Sequence, residues 1–298
     1  MPSAGDHPSR RSVLLATAAL VLSACGADHH DTPIAVQPTH RPEASPTVDS
    51  SPPTTLPTPV PAPSRSSFLT PTSTAAASVP ATPPPASVPA PVLVTNGNRA
   101  APYVALTFDA CATPRSPAGY DAKLIAALEA AQAPATLFLG GLWMQHHPDA
   151  TRALAANPRF ELANHSWSHP DFRTLTPAQM ADEIARTQAE QEQLTGRRGR
   201  LFRLPYGFSS PTALAVVAAQ GLTCIEWDTV TGDPDPHLGA RAILRNALGA
   251  RNGSIIIMHM NGRGWHTREA LPQVVRRLRQ RGLTLVTVSH LLGLEPRG

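Results

Sequence analysis

Asp109, His165, His169, Arg203, Asp233 and His259 carry the side chains in this sequence best suited to hydrolytic chemistry. His165 and His169 share one short stretch, Asn164-His165-Ser166-Trp167-Ser168-His169, and two imidazoles at that spacing can hold a divalent cation such as Zn²⁺. Asp109 and His259 are of the types that exchange protons with a reacting group, and Asp228 and Asp233 add further carboxylates. Taken singly, each has an ordinary structural alternative: a buried Asp–Arg pair, a satisfied core histidine, an incidental H-x-x-x-H. What separates function from coincidence is where the surrounding elements put them.

Beyond residue 98 the sequence alternates short apolar, β-prone runs with longer helical patterns. Strands are expected over Val104–Phe108, Ala135–Leu139, Phe160–Ala163, Leu201–Arg203, Leu222–Trp227, Ser254–Met258 and Leu283–Val288. Helices are expected around Tyr120–Ala131, Asp149–Ala155, Pro177–Leu194, Pro211–Ala219, Ala240–Leu248 and Arg268–Gln280. The third helix opens on Thr176 as N-cap with Pro177 at its first position. About seven strand–helix units in about 200 residues predict an α/β fold, a closed or nearly closed parallel (β/α) barrel, with a doubly wound open sheet as the alternative. Asp109 follows the first run, His165 and His169 the third, and Arg203 ends the fourth; Asp228 and Asp233 follow the fifth, and His259 ends the sixth. In a parallel barrel these strand ends share one rim, where catalytic groups collect. Structural polar residues have no reason to choose the same end each time. Trp143, Trp167 and Trp265 each follow a strand by a few residues and are candidates to stack on a ligand ring, whereas Trp227 is taken as core or cleft wall.

The 298 residues are unevenly composed. About half of the 33 prolines fall between Pro33 and Pro91, among Ser, Thr and Ala, with too little bulky apolar surface to offset the entropy of ordering. Residues 26–97 are therefore expected to be a disordered linker, and residues 98–298 a single globular domain. Residues 1–25 have the pattern of an export signal. Arg10-Arg11 precedes the apolar run Val13–Leu22, too short for a permanent span, and Leu22-Ser23-Ala24-Cys25 resembles a bacterial lipobox. The expectation is an exported protein, held at the cell membrane by lipid on Cys25 and facing the envelope or exterior. A formal net charge of +4, with scattered arginines and no basic run interleaved with aromatics, gives no support to nucleic-acid binding. A monomer is expected.

Thr107-Phe108-Asp109, His165-Ser166-x-x-His169, Arg203-Leu204-Pro205-Tyr206-Gly207 and Ile256-Ile257-Met258-His259 resemble, in order, the successive motifs of the polysaccharide deacetylase family, the NodB-homology carbohydrate esterases. The likeness runs from about Tyr103 to Leu292 and includes Leu271-Pro272 and Arg281-Gly282-Leu283. It implies a deformed barrel and hydrolysis of an N-acetyl, less often O-acetyl, group on a sugar polymer such as peptidoglycan or chitin-like oligomers. By the same resemblance Asp109 is the general base, His259 the general acid for the leaving nitrogen, and His165 and His169 ligands of a divalent metal, Zn²⁺ foremost. Asp233, with Asp228 as alternate, would orient His259. Arg203 would hold Asp109 ionised and in place. The Tyr206 backbone N–H would donate to the oxyanion, and Trp167 and Trp265 would meet the sugar.

The sequence departs from the family pattern at Asp109-Ala110-Cys111. There the family carries a second aspartate, a metal ligand, where this chain has Ala110, and a glycine where it has Cys111. Four outcomes stay open: Asp109 turns to the metal, Cys111 approaches it as thiolate, water fills the vacancy, or the metal is lost and a binding module remains. Because the proposed base, acid and Arg203 are all kept, a working polysaccharide N-deacetylase is expected, with a catalytically impaired carbohydrate-binding lipoprotein as the alternative. Pro234 also stands where the family's Asp-Trp would place tryptophan. Cys111 and Cys224 belong to the first and fifth expected strands, which are not neighbours in such a barrel, so two free thiols are favoured over a disulfide. His29-His30 and His146-His147 are taken as solvated or linker residues.

Overall fold

Parallel strands buried on both faces need near-continuous apolar sequence, and that is what builds the centre of this chain. The computed structural model describes residues 91–116 and 118–294. The strands are β1 (Leu93–Val94), β2 (Tyr103–Ala110), β3 (Ala135–Leu139), β4 (Phe160–Asn164), β5 (Leu201–Phe202), β6 (Thr223–Ile225), β7 (Thr229–Val230), β8 (Ser254–His259) and β9 (Thr284–Val286). They form one sheet in the order β1-β6-β5-β4-β3-β2-β8-β7, with β9 added beside β2, and every pairing between them is parallel. The sheet curls so that the chain leaving β1 meets the start of β8, through an antiparallel bridge Asn96–Ser254 and a Gly97 N–H donating to Gly253 O at 2.8 Å. The result is a deformed (β/α) barrel, as the family resemblance implies, with nine strands among the described residues where about seven were expected.

Alternation along β2 separates two cores. Val104, Leu106, Phe108 and Ala110 point outward into the large cluster under the helices, while Ala105 points inward with Phe138, Ala163, Leu201, Ile225 and Ile255. Each fully buried Leu, Val or Phe stabilises the fold by roughly 1.5–3 kcal/mol. The helices are α1 (Ala122–Ala130), α2 (Gly141–His146), α3 (Pro148–Ala156), α4 (Pro177–Thr195), α5 (Pro211–Ala219), α6 (Ala240–Ala247), α7 (Thr267–Gln280) and α8 (Val288–Leu291). Helix α4 begins as its sequence predicts: Thr176 and Gln179 close a capping box, Pro177 takes the first turn, and Gly196 ends the helix at φ 72°.

Register is what brings the polar residues level. Asp109 pairs with His259, and Leu139, Asn164, Phe202 and Cys224 form one row across β3 to β6. His165 and Arg203 each follow that row by one residue, so both emerge on the rim that carries Asp109.

Several elements differ from expectation. Strand β1 lies ahead of the boundary expected at residue 98, and its two residues are too few to show a period beside the proline-rich tract. Helix α2 starts at Gly140-Gly141, where glycine masks a helical pattern. His147, expected to be solvated, sits between α2 and α3 with Nε2 2.8 Å from Ala118 O and its ring 4.8 Å from that of Trp143. Trp143 is wholly buried, its Nε1 donating to Gly119 O at 3.0 Å, so it is core rather than a stacking platform. The export signal, Cys25, His29-His30 and residues 26–90 of the expected linker lie outside the described residues, whereas its last residues, 91–97, are ordered and include β1. Among the described residues no helix is long and apolar enough to cross a membrane.

Candidate active site

The end of β2 places Asp109 in the barrel mouth, 4 % exposed, where an unpaired carboxylate would be strongly disfavoured. Arg203, entirely buried just past β5, answers it: Nη1 donates to Asp109 Oδ1 at 2.6 Å, and Nε donates to Ile225 O at 3.2 Å. The guanidinium lies over the Phe138 ring at 3.9 Å, so the inner apolar core fixes its plane. Burial alone would raise the Asp109 carboxyl, but Arg203, His165 and His259 together hold it below the ordinary aspartate value. Asp109 is therefore an ionised acceptor facing the cleft.

The loop after β4 carries the histidine pair. Asn164 accepts from Ser166 N–H at 2.9 Å and donates to Ile184 O, which ties the loop to α4. Glu183, also on α4, accepts from the Trp167 and Ser168 N–H groups and from the Ser168 hydroxyl at 2.8–2.9 Å. Ser166 and His169 are held at φ 66° and 56°, a conformation that costs such residues energy and is found where surroundings over-determine it. His165 has Nδ1 3.0 Å from Arg203 O, which directs Nε2 to within 3.6 Å of Asp109 Oδ2. The two imidazoles are 4.9 Å apart, and the Tyr206 ring stands 4.6 Å beyond His169. Burial keeps both histidines below the ordinary imidazole value, hence neutral at pH 7.

On the opposite wall, His259 at the end of β8 is gripped by Asp233. Its backbone N–H donates to Asp233 Oδ2 at 2.7 Å, and its ring Nδ1 lies 3.0 Å from Asp233 Oδ1. Thr267 and Thr231 hydroxyls donate to the same carboxylate at 2.6 and 3.1 Å, so Asp233 is fixed from both sides. Asp228, the alternate partner, does not reach His259. It accepts from Arg99, Ser254 Oγ and Ile255 N–H at the far end of β8, a structural clasp.

A family model described as polysaccharide deacetylase matches residues 96–225. A family 4 carbohydrate esterase from Streptomyces lividans, solved in complex with acetate, superposes with a TM-score of 0.55 at 33% identity, over 61% of this chain and 91% of that one. The chain belongs to the polysaccharide deacetylase family. It is also similar to a peptidoglycan-N-acetylglucosamine deacetylase of Bacillus cereus, 27% identical over 63% of this chain and 67% of that protein. A family 4 pseudoenzyme from Bacillus anthracis shares the fold, with a TM-score of 0.62 at 22% identity over 70% of this chain and 71% of that one. The chain spans 53% and 66% of the length of two uncharacterised relatives from Bacillus subtilis and Geobacillus stearothermophilus.

Within this family framework, position 110 matters most. Ala110 packs in the outer apolar cluster and offers no donor. Cys111 is buried, its sulfur accepting from Asn261 Nδ2 at 3.3 Å, and Cys224 is a buried thiol on β6, so the two do not pair with each other. The fit to a metal is therefore partial. His169 Nδ1 is buried without a hydrogen-bond partner among the described residues, and both neutral imidazoles are of the form that ligates a cation. Yet among the described residues no three His, Cys, Asp or Glu side chains converge on one point. The histidine pair supplies two ligands and the described chain does not complete the set.

The tryptophans divide. Trp265 is 56 % exposed on the loop after β8, its backbone N–H donating to Asp233 O at 3.1 Å. Trp167 is buried beneath the Arg186 guanidinium at 4.2 Å and against Gly141, so the expectation of a sugar platform there is corrected: it braces the histidine loop. Glu183, Glu226, Thr231 and Thr267 were not legible as site residues. Glu226 falls inside the apolar run Leu222–Trp227, and Glu183 lies on a helix face dense in polar residues.

Proposed function

We propose that this chain is an exported polysaccharide N-deacetylase, acting on an envelope or extracellular polymer of acetylated amino sugars. The observation that carries this reading is one juxtaposition: an ionised Asp109, held by Arg203, in register with a His259 held by Asp233. Asp109 takes a proton from water, and that water attacks the acetyl carbonyl carbon. The carbonyl oxygen gains charge as it does so and accepts from the Tyr206 N–H. Because Nδ1 of His259 faces Asp233, proton delivery to the departing nitrogen falls to Nε2. The C–N bond then breaks, leaving acetate and a free amine. His165 and His169 are the residues that would hold a divalent cation, which when bound lowers the pKa of water and polarises a carbonyl. The exposure of Trp265 supports its contact with a neighbouring sugar ring. The lipobox at Cys25 supports tethering to the membrane. The similarity to the Bacillus cereus enzyme favours a peptidoglycan glucosamine substrate.

Acetate release from acetylated glucosamine oligomers and from peptidoglycan tests this, with Asp109→Asn and His259→Ala as controls. Turnover by the wild type and its loss in both variants is the expected result. Silence of all three across glycans and added metals would overturn it. A second reading has its own support in Ala110 and the two-ligand metal set: a carbohydrate-binding module without chemistry. It predicts saturable glycan binding that survives Asp109→Ala with no turnover by the wild type.

A further inference from the structure

Glu226 has no part in the chemistry above, yet it is among the most costly residues in the cleft. It follows β6 directly and is 6 % exposed; Oε2 has no hydrogen-bond partner among the described residues, and Oε1 accepts from the Leu204 N–H at 3.2 Å. An ionised carboxylate in that position would need a cation, and the nearest is committed. Arg203 places Nη1 on Asp109 and Nε on Ile225 O, and reaches only the backbone carbonyl of Glu226, at 3.4 Å from Nη2. Two carboxyls beside one guanidinium divide the roles: Asp109 keeps the charge and Glu226 keeps its proton. Burial, reinforced by the Asp109 charge and opposed by Arg203, pushes the Glu226 carboxyl up to about 8. Cys224 also faces it, and burial pushes its thiol up as well, so it brings no charge at neutral pH.

What a neutral acid does there follows from the turn above it. Tyr206 has φ 62° and ψ 0°, and Gly207 has φ 70°, two successive left-handed residues. For a tyrosine this costs on the order of 1–3 kcal/mol, which the surroundings must offset. The turn closes with Gly207 N–H donating to Leu204 O at 3.1 Å. Glu226 meets it at both ends: it accepts from Leu204 N–H, and a Cβ on Gly207 would lie 3.5 Å from Glu226 Oε2 and 2.8 Å from the Trp227 ring.

We propose that Glu226 is a positioning residue, holding the Leu204–Gly207 turn as a neutral acid and thereby aiming the Tyr206 N–H at the reacting oxygen. Its kinetic consequence rests on the deacetylase reading; its structural consequence does not. Glu226→Gln keeps an acceptor and a donor in the same shape, whereas Glu226→Leu keeps the bulk alone. Hydrogen exchange of the Leu204–Phe208 amides and acetate release from acetylated glucosamine oligomers are measured for both variants and the wild type. Glu226→Gln retains protection and most of the rate. Glu226→Leu loses about tenfold in protection of that segment, the size of one hydrogen bond, with β2 and β8 unchanged. Its kcat falls up to about 100-fold with KM nearly constant, as for a misplaced oxyanion donor. Wild-type behaviour of Glu226→Leu, or equal damage from Glu226→Gln, overturns the proposal. If no enzyme turns over, the deacetylase reading fails and exchange alone decides. Should Glu226→Leu not fold, exchange corrected for its intrinsic rate is compared between wild type and Glu226→Gln across the Glu226 titration. The turn loosens with rising pH in the wild type only, and identical profiles overturn the proposal.

Discussion

Asp109 and Glu226 are two buried carboxyls beside one arginine, and their opposite protonation states make opposite demands on stability. Asp109 has its folded pKa depressed, so its contribution is fully present above the unfolded value and fades as pH falls through the folded one. Arg203→Ala leaves that charge buried without a partner and is expected to lower unfolding free energy by about 3–5 kcal/mol, read from urea denaturation at pH 7. Arg203→Lys recovers part of this, since an ammonium replaces the charge but not the fork that reaches Asp109 and Ile225 O. Glu226 has its folded pKa raised from 4.5 to about 8, so the folded state binds the extra proton and stability declines with rising pH between those values. Thermal unfolding should therefore show Glu226→Gln less sensitive than wild type to the step from neutral to alkaline buffer, and a parallel decline in both would refute the neutral-acid assignment. The residues that sequence made legible here are those that end an apolar run, Asp109, Arg203 and His259. Glu226 was hidden because it sits within such a run, where its neighbours suggest core.

At the scale of elements, most strands were legible because burial on both faces demands unbroken apolar runs, and their ends fell within a residue or two of expectation; the two-residue β1 and β7 were not expected. Which loop residue faces the cleft was not, since that depends on turns no period records. Trp167 illustrates the difference: three residues past β4 it suggested a platform, but the left-handed conformations of Ser166 and His169 fold it inward. Helix α4 sets that loop through Glu183, a residue distant in sequence from the loop it clamps. Glu183→Ala removes acceptors for two backbone N–H groups and one hydroxyl, so the loop loosens while the barrel, anchored elsewhere, stays folded. Second-sphere losses of this kind lower metal affinity by about 10–100-fold. Metal content of purified domain after Zn²⁺ loading and dialysis is expected to fall in the order wild type, Glu183→Ala, His165→Ala. Equal content in wild type and His165→Ala would remove the histidine pair as a metal site.

For the whole molecule, the open question in sequence was where the globular part begins, and composition placed it at residue 98. The sheet places it earlier. Leu93 and Val94 pair with Cys224 and Ile225 on β6, Val94 O accepts from Glu226 N–H at 2.8 Å, and the chain then crosses to Ser254 on β8. Arg99 completes the join by donating to Asp228 at 2.6 Å and to Asn252 O at 2.8 Å. Strand β1 thus covers one edge of the sheet and anchors the backbone of Glu226, which in turn supports the Leu204–Gly207 turn. A protein starting at residue 98 keeps every motif residue but exposes the β6 edge and loses the acceptor for Glu226 N–H. Compared with one starting at residue 87, it should be less stable by roughly 2 kcal/mol, the hydrogen bonds of β1 with β6 and of Gly97 with Gly253 and two half-buried apolar side chains being partly offset by the entropy of ordering the segment. For a domain of this size that lowers the thermal midpoint by about 4–8 °C. Acetate release should fall further than stability alone explains, because the lost edge lies under the turn that carries Tyr206. Equal midpoints for the two proteins would show that β1 is an accessory strand and that composition had drawn the boundary correctly.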